Sequence, residues 1–373
     1  MQIIPIASGK GGVGKSLLSA NLAIALGQAG KKVILADLDL GASNLHLVIG
    51  QISPKVGIGT FLSGEHKFEE IIQPTDYPNV SFIAGDTEIT GLSALKIYQK
   101  NSLIKHFNSL DADYLIIDLG AGTHLTILDL FLLSPQGIVV TAPTVTATLN
   151  GYLFLKNAVF RLMAATFKKG TKAAEYLDKL RADAASLQRL YIPKLVEALE
   201  MVDPENAHKF KERLKQFKPR LIVNMIDEPK DADKAQKIRR SCQQYLGIEV
   251  ESLGVMYRDA LQDRALSSRL PVIIYKPQAV LSQAIFRVAE KILQSETSKF
   301  DDDTTFEMAS EEAVDDFSAK MSYVEDLIGT GALSTSELAE IIKTQQYELN
   351  QLKNENIMLK SKILRAAEQG FKV

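Results

Sequence analysis

Cysteine is nearly missing from this chain, with one residue, Cys242, among 373. A single thiol excludes an internal disulfide framework and a clustered thiolate metal site, and it fits a reducing, cytoplasmic address. Cys242 falls in the helical pattern KIRRSCQQYL and is expected as a small packed residue. Long apolar runs are missing too: no segment offers about eighteen uninterrupted apolar residues, and the first residues carry no basic leader followed by an apolar stretch. Neither export nor a membrane span is expected. Charge of one sign is not in excess, since 43 Lys and Arg face 45 Asp and Glu for a formal net charge of -2. The chain as a whole therefore has no electrostatic footprint for nucleic acid. The five histidines, His46, His66, His106, His124 and His208, form no metal-spaced set and are expected to be structural.

What is there is enough apolar material, 46% of the residues, for one large core. Continuously apolar runs at 2–7, 33–37, 80–84, 114–118, 137–142, 220–226 and 252–256 alternate with longer helical patterns. Strands that are apolar on both faces must be covered on both, so the spacing predicts a doubly wound, mostly parallel α/β sheet within one large domain at 1–295. Residues 148–219 break the rhythm and predict a helical elaboration of one crossover. A helix is expected near 278–295. Residues 299–326 then carry ten acids against two bases without sustained periodicity, which reads as a solvated acidic linker within 296–333.

From Leu338 to Ala366 the spacing alternates four and three, through Ile342, Gln345, Leu349, Leu352, Asn356, Leu359 and Ile363. That heptad seam predicts a coiled-coil helix at 334–373. The basic, partly apolar end of the same tail, with Lys360, Lys362, Arg365 and Lys372, is also suited to a weak contact with anionic lipid at the inner face of the cell membrane.

The chemistry starts at residues 9–16, GKGGVGKS, which satisfies GxxxxGK[ST], follows an apolar strand and opens a Leu- and Ala-rich helix. Glycines there let backbone N–H groups wrap phosphate oxygens while the helix turns its positive end to the same anion. Gly11, Gly12, Val13, Gly14, Lys15, Ser16 and Leu17 are the expected nucleotide-binding residues, with Lys15 on the β- and γ-phosphates and Ser16 on Mg²⁺. Downstream, ADLDLGASNLHLVIG places Asp37 and Asp39 at a strand's end, and DYLIIDLGAGT places Asp118 at another.

With Lys10 preceding the glycines, the loop resembles KGGxGK[ST] of the MinD/ParA family of deviant P-loop ATPases, within which the chain most resembles the MinD and FlhG members, and the DLGAGT stretch is closer to the FlhG side of that family than to plasmid ParA. The resemblance covers about residues 1–160 and 219–295. It implies ATP and Mg²⁺ as cofactors and a homodimer formed on ATP, with Lys10 reaching the partner's nucleotide. It also implies Asp39 on the attacking water, Asp37 supporting the metal shell or its loop, Asp118 in the metal shell, and Asn224 and Asp259 near the base. By the same resemblance the function is a spatial switch, stimulated by a protein activator, that positions a division site, a flagellum or another cargo. The alternative is a partitioning ATPase that binds DNA, to which the fourteen bases against eight acids in residues 161–220 lend some support. Two positions depart from the family pattern: Tyr257 stands where a proline is usual beside the base, and Thr144 where a glutamate is usual.

Overall fold

The computed structural model describes residues 1–39, 43–52, 54–85, 95–181, 191–295 and 302–330, with scattered positions between 339 and 360. They form two compact units, Met1–Val314 and Asp315–Val373.

The first unit is built on an eight-stranded sheet in the order β3-β4-β2-β5-β1-β6-β7-β8. The strands are β1 (Gln2–Ser8), β2 (Val33–Leu38), β3 (Ile72–Pro74), β4 (Val80–Ile83), β5 (Tyr114–Ala121), β6 (Ile138–Thr141), β7 (Arg220–Ile226) and β8 (Glu251–Tyr257). All seven expected runs are strands, and every pairing is parallel except that of β3 with β4. β3 adds an antiparallel edge of three residues. The longer helices are α1 (Lys15–Gln28), α2 (Ile97–Asn108), α3 (Leu125–Phe131), α4 (Val145–Thr166), α5 (Lys172–Arg181), α6 (Ile192–Val202), α7 (Pro204–Gln216), α8 (Asp233–Ser241), α9 (Leu261–Ser267), α10 (Val280–Gln294) and α11 (Asp302–Thr330).

Helix α1 is buried along nearly its whole length, from Lys15 to Gly27, which explains its lack of a polar face. It lies between the sheet and α10. Its Leu18, Leu22 and Leu26 join Ile4, Ile116, Ile285 and Val288 in one core. At about 25 cal/mol per Å², such burial is the main force holding the phosphate-binding loop against the sheet. Helices α4 to α7 fill the crossover from β6 to β7, the predicted helical elaboration; residues 182–190 of that stretch lie outside the described residues. Cys242 is fully buried at the end of α8, and that burial raises its thiol far above the usual range.

The acidic stretch is not a linker in the structure. It forms α11, because Phe306, Ala309 and Ala313, spaced three and four, bury one narrow stripe while Glu307 and Glu311 stay exposed. In the first unit, the start of α11 lies along β8: Thr305 Oγ1 accepts from Ser252 N at 3.2 Å, and Tyr257 donates its hydroxyl to Ala313 O at 2.7 Å. An open edge strand is thereby covered. In the second unit, the described positions between 339 and 360 are helical, and Ile342, Leu349 and Leu359 of the seam are each more than half exposed. Leu338, Gln345, Leu352, Ile363 and Ala366 of the seam lie outside the described residues, as do Lys362, Arg365 and Lys372.

Candidate functional site

The loop between β1 and α1 sits at the C-terminal edge of the sheet, where open α/β sheets take ligands. Gly14 caps α1 with φ of 83°, and a Cβ built there would fall 2.1 Å from Asn224 Nδ2. Both the left-handed backbone and the lack of space require glycine. The N–H groups of the glycine-rich loop and the start of α1 form a positive cradle suited to phosphate.

Lys15, only 7% exposed, points into the sheet edge and meets Asp118 Oδ1 at 2.8 Å. Ser19, one helical turn on and fully buried, bonds the same oxygen at 2.9 Å. The other oxygen, Asp118 Oδ2, is buried with no hydrogen-bond partner among the described residues. An unpartnered carboxylate oxygen is costly in an interior unless something binds it. Ser16, half-buried beside Lys15, adds a hydroxyl to that oxygen-rich set, whose chemistry suits Mg²⁺. Among the described residues no three His, Cys, Asp or Glu side chains are grouped to hold a metal by themselves.

Asp37 pairs in register with Asp118 across β2 and β5. Burial, and then the Asp118 charge, push its carboxyl up to about 7. A cation beside Asp118 would relieve that repulsion. Asp37 accepts from Ser43 Oγ at 2.7 Å, Asp39 N at 3.0 Å and Leu45 N at 3.3 Å. Both its oxygens are therefore engaged in shaping the loop after β2, and of the two roles expected for Asp37 the geometry favours support of the loop. Residues 40–42 of that loop lie outside the described residues. Asp39 lies over the end of β5, where a Cβ on Gly120 would be 3.2 Å from Asp39 Oδ1.

On the other flank, Asn224 Nδ2 donates to Val13 O at 2.9 Å, and its Oδ1 accepts from Met225 N. Asn224 is 2% exposed and clamps the phosphate loop, while Met225 beside it holds φ of 60°, rare outside glycine. Asp259 accepts from Leu261 N at 2.9 Å and so shapes the turn into α9. Lys10 is exposed and reaches Thr146 Oγ1 at 3.3 Å on α4. Thr144, the second departure, accepts from Ala147 N to cap that helix. Val13 and Leu17 are buried beneath the loop, and Gly11 and Gly12 are exposed on it.

The structure thus brings Lys15, Ser16, Asp37, Asp39 and Asp118 to one side of the loop and Asn224 to the other. Ser19 and Ser43 were not anticipated. Ser19 could have been found from its i+4 spacing to Lys15 on one helix face.

Residues 4–272 match the family described as the CobQ/CobB/MinD/ParA nucleotide binding domain. The flagellum site-determining protein YlxH of Helicobacter pylori is 34% identical over 206 residues, 51% of this chain and 68% of that protein. The antiactivator FleN of Pseudomonas aeruginosa is 28% identical over 160 residues, and the septum site-determining protein MinD of H. pylori 32% over 149. Those two matches take in 42% and 39% of this chain but only 56% and 54% of the relatives' own length. Among solved structures, MinD from Pyrococcus horikoshii in complex with Mg-ADP superposes with a TM-score of 0.55 over 80% of this chain and 99% of its own, at 23% identity, a likeness of fold. No helix among the described residues is long and apolar enough to cross a membrane. With its site built on the loop that defines such domains, this chain belongs to the CobQ/CobB/MinD/ParA nucleotide-binding family, alongside flagellum and septum site-determining proteins.

Proposed function

We propose that this chain hydrolyses ATP with Mg²⁺ and uses the nucleotide cycle as a positioning switch, closing into a face-to-face homodimer on ATP and reopening after a partner stimulates hydrolysis. The observation that carries the reading is the convergence of Lys15 on Asp118 next to an unpartnered carboxylate oxygen. Phosphate oxygens on the loop's N–H groups compete with Asp118 for the Lys15 ammonium. A lysine drawn to phosphate would leave Asp118 Oδ1 with the Ser19 hydroxyl alone and Asp118 Oδ2 open, so that Asp118 could serve the metal shell with Ser16 as its hydroxyl ligand. Mg²⁺ supplies charge that neutralises the β- and γ-phosphate oxygens.

Asp39, at the mouth of β2 and over Gly120, orients the attacking water, and Asp37 holds the loop that carries it. Lys10, exposed on the loop, acts across the dimer as a cation where charge develops in the transition state. Because the acids lie on the β2 and β5 side of the loop, the nucleoside extends toward β7 and β8, past Asn224 and Asp259. YlxH and MinD are named for determining flagellum and septum sites, and the same kind of cargo, with a protein activator, is proposed here.

The test is light scattering and isothermal calorimetry with ATP, ADP and no nucleotide, for wild type and for Lys15→Ala, Lys10→Ala and Asp39→Ala. Lys15→Ala should lose tight ATP binding. Lys10→Ala should bind ATP without closing the dimer, and Asp39→Ala should hold ATP and the dimer. One mass under all three conditions for a chain ending before residue 334, in which the tail's own pairing cannot mask the change, would end the switch reading. Flotation with anionic vesicles, with and without ATP, tests peripheral membrane association.

A further inference from the structure

Tyr257 ends β8, and its hydroxyl is not turned to solvent. It is 1% exposed and donates 2.7 Å to Ala313 O, a buried main-chain carbonyl on α11. The bond belongs to a built seam. Ser252 N donates to Thr305 Oγ1, and Lys291 of α10 bonds Leu253 O at 3.2 Å and Glu312 Oε1 at 2.8 Å. Arg239 lies 5.0 Å from the centre of the Phe306 ring. Gly254, in the middle of β8, has φ of 136°, and a Cβ there would be 3.3 Å from Glu312 Oε2. The strand therefore gives up a side chain where the helix comes closest.

The other face of this arrangement is the phosphate loop. Val13 O is held by Asn224, Asn224 pairs in register with Met256, and Arg258 N bonds Ile226 O at 3.0 Å. A continuous path of hydrogen bonds and one strand pairing thus runs from the loop through β7 and β8 to α11.

We propose that Tyr257 is a positioning residue that fixes the nucleoside-facing end of β8 to α11, so that docking of α11 and nucleotide binding are thermodynamically linked. The inference rests on the reading of the loop as an ATP site whose nucleoside lies toward β7 and β8. Linkage is reciprocal: if the docked helix favours bound ATP, then ATP favours the docked helix. Loss of one neutral hydrogen bond that holds a binding surface is expected to weaken ATP binding about three- to tenfold.

The experiment uses the full chain as wild type, Tyr257→Phe and Glu312→Gln. Calorimetry measures affinity for Mg-ATP and for Mg-tripolyphosphate, which has the phosphates but no nucleoside. Deuterium exchange reads the amides of residues 305–314 with and without ATP. Tyr257→Phe should weaken ATP and leave tripolyphosphate unchanged, and Glu312→Gln, which acts only through the seam, should shift ATP the same way by less. ATP should slow exchange in 305–314 of the wild type and do so less in Tyr257→Phe. Equal ATP affinities with no ATP effect on exchange would overturn the linkage, as would an equal loss for both ligands. A wild-type chain that bound neither ligand would instead overturn the nucleotide reading and this inference with it.

Discussion

The Lys15 ammonium lies 2.8 Å from Asp118 Oδ1, joining the start of α1 to the end of β5 in a pair of which both members are almost wholly buried. Removing either partner strands a charge in the interior. Asp118→Asn should therefore lower stability by about 3 kcal/mol and also abolish Mg²⁺-dependent ATP turnover. Urea unfolding and a phosphate-release assay on the same preparation check both, and unchanged stability would mean that the pair is relaxed in solution.

Gly14 and Asn224 cannot both keep their places if Gly14 gains a side chain. Gly14→Ala should cost about 1–2 kcal/mol from the left-handed backbone alone, and should push the Asn224 amide off Val13. ATP binding should fall sharply while the far-ultraviolet circular dichroism stays native. In the double variant with Asn224→Ala the clash disappears but the backbone strain remains, so binding should stay below that of Asn224→Ala alone.

Asp129 on α3 takes hydrogen bonds from Lys100 of α2 and Arg161 of α4, including Arg161 Nη2 at 3.0 Å. Burial alone would raise its carboxyl, but the bonds from Arg161 and Lys100 outweigh it and hold the group below the usual range. A depressed carboxyl stabilises the fold fully above its unfolded pKa and loses that stabilisation as pH falls through the folded value. Asp129→Asn should be less stable than wild type by about 2 kcal/mol at pH 7, with the gap closing below about pH 4. Paired urea titrations at pH 7 and pH 3 decide it, and a gap that grew on acidification would contradict the sign.

In the tail, Ile342, Leu349, Asn356 and Ile363 are taken as a positions, with Leu338, Gln345, Leu352, Leu359 and Ala366 at d. A peptide of residues 334–373 should form a parallel helical dimer in which paired Asn356 amides fix the register. Asn356→Leu should raise its melting temperature and loosen its choice of partner number. Circular dichroism and analytical ultracentrifugation at tens of micromolar, an order-of-magnitude choice, check this. A monomeric, non-helical peptide would rule out the coiled coil.

Much of this protein is fixed by residue pattern alone. Strands covered on both faces must be largely apolar, so β1, β2 and β4 to β8 are legible as runs, and the order of strand, glycine loop and helix identifies the phosphate cradle. β3 is not legible, because Ile72–Pro74 is too short to carry a period and gains its place only by pairing with β4. Helix α11 was misread for a related reason. Its buried stripe is one phenylalanine and two alanines among acids, too little apolar area to register until β8 supplies the opposite surface.

Site identities were likewise local and site contacts were not. Lys15, Asp37 and Asp118 are marked by their motifs, but that Asp37 faces Asp118 depends on the register of β2 against β5. That Asn224 holds Val13 depends on a contact across 211 residues of chain. Tyr257 is the plainest case. In the sequence it is a departure from a family pattern, and only the packing of α11 on the edge strand gives its hydroxyl the Ala313 carbonyl as a partner. Backbone period and loop chemistry act over a few residues and are written in them, whereas a buried hydrogen bond needs two distant groups to be desolvated together, which the tertiary fold alone decides.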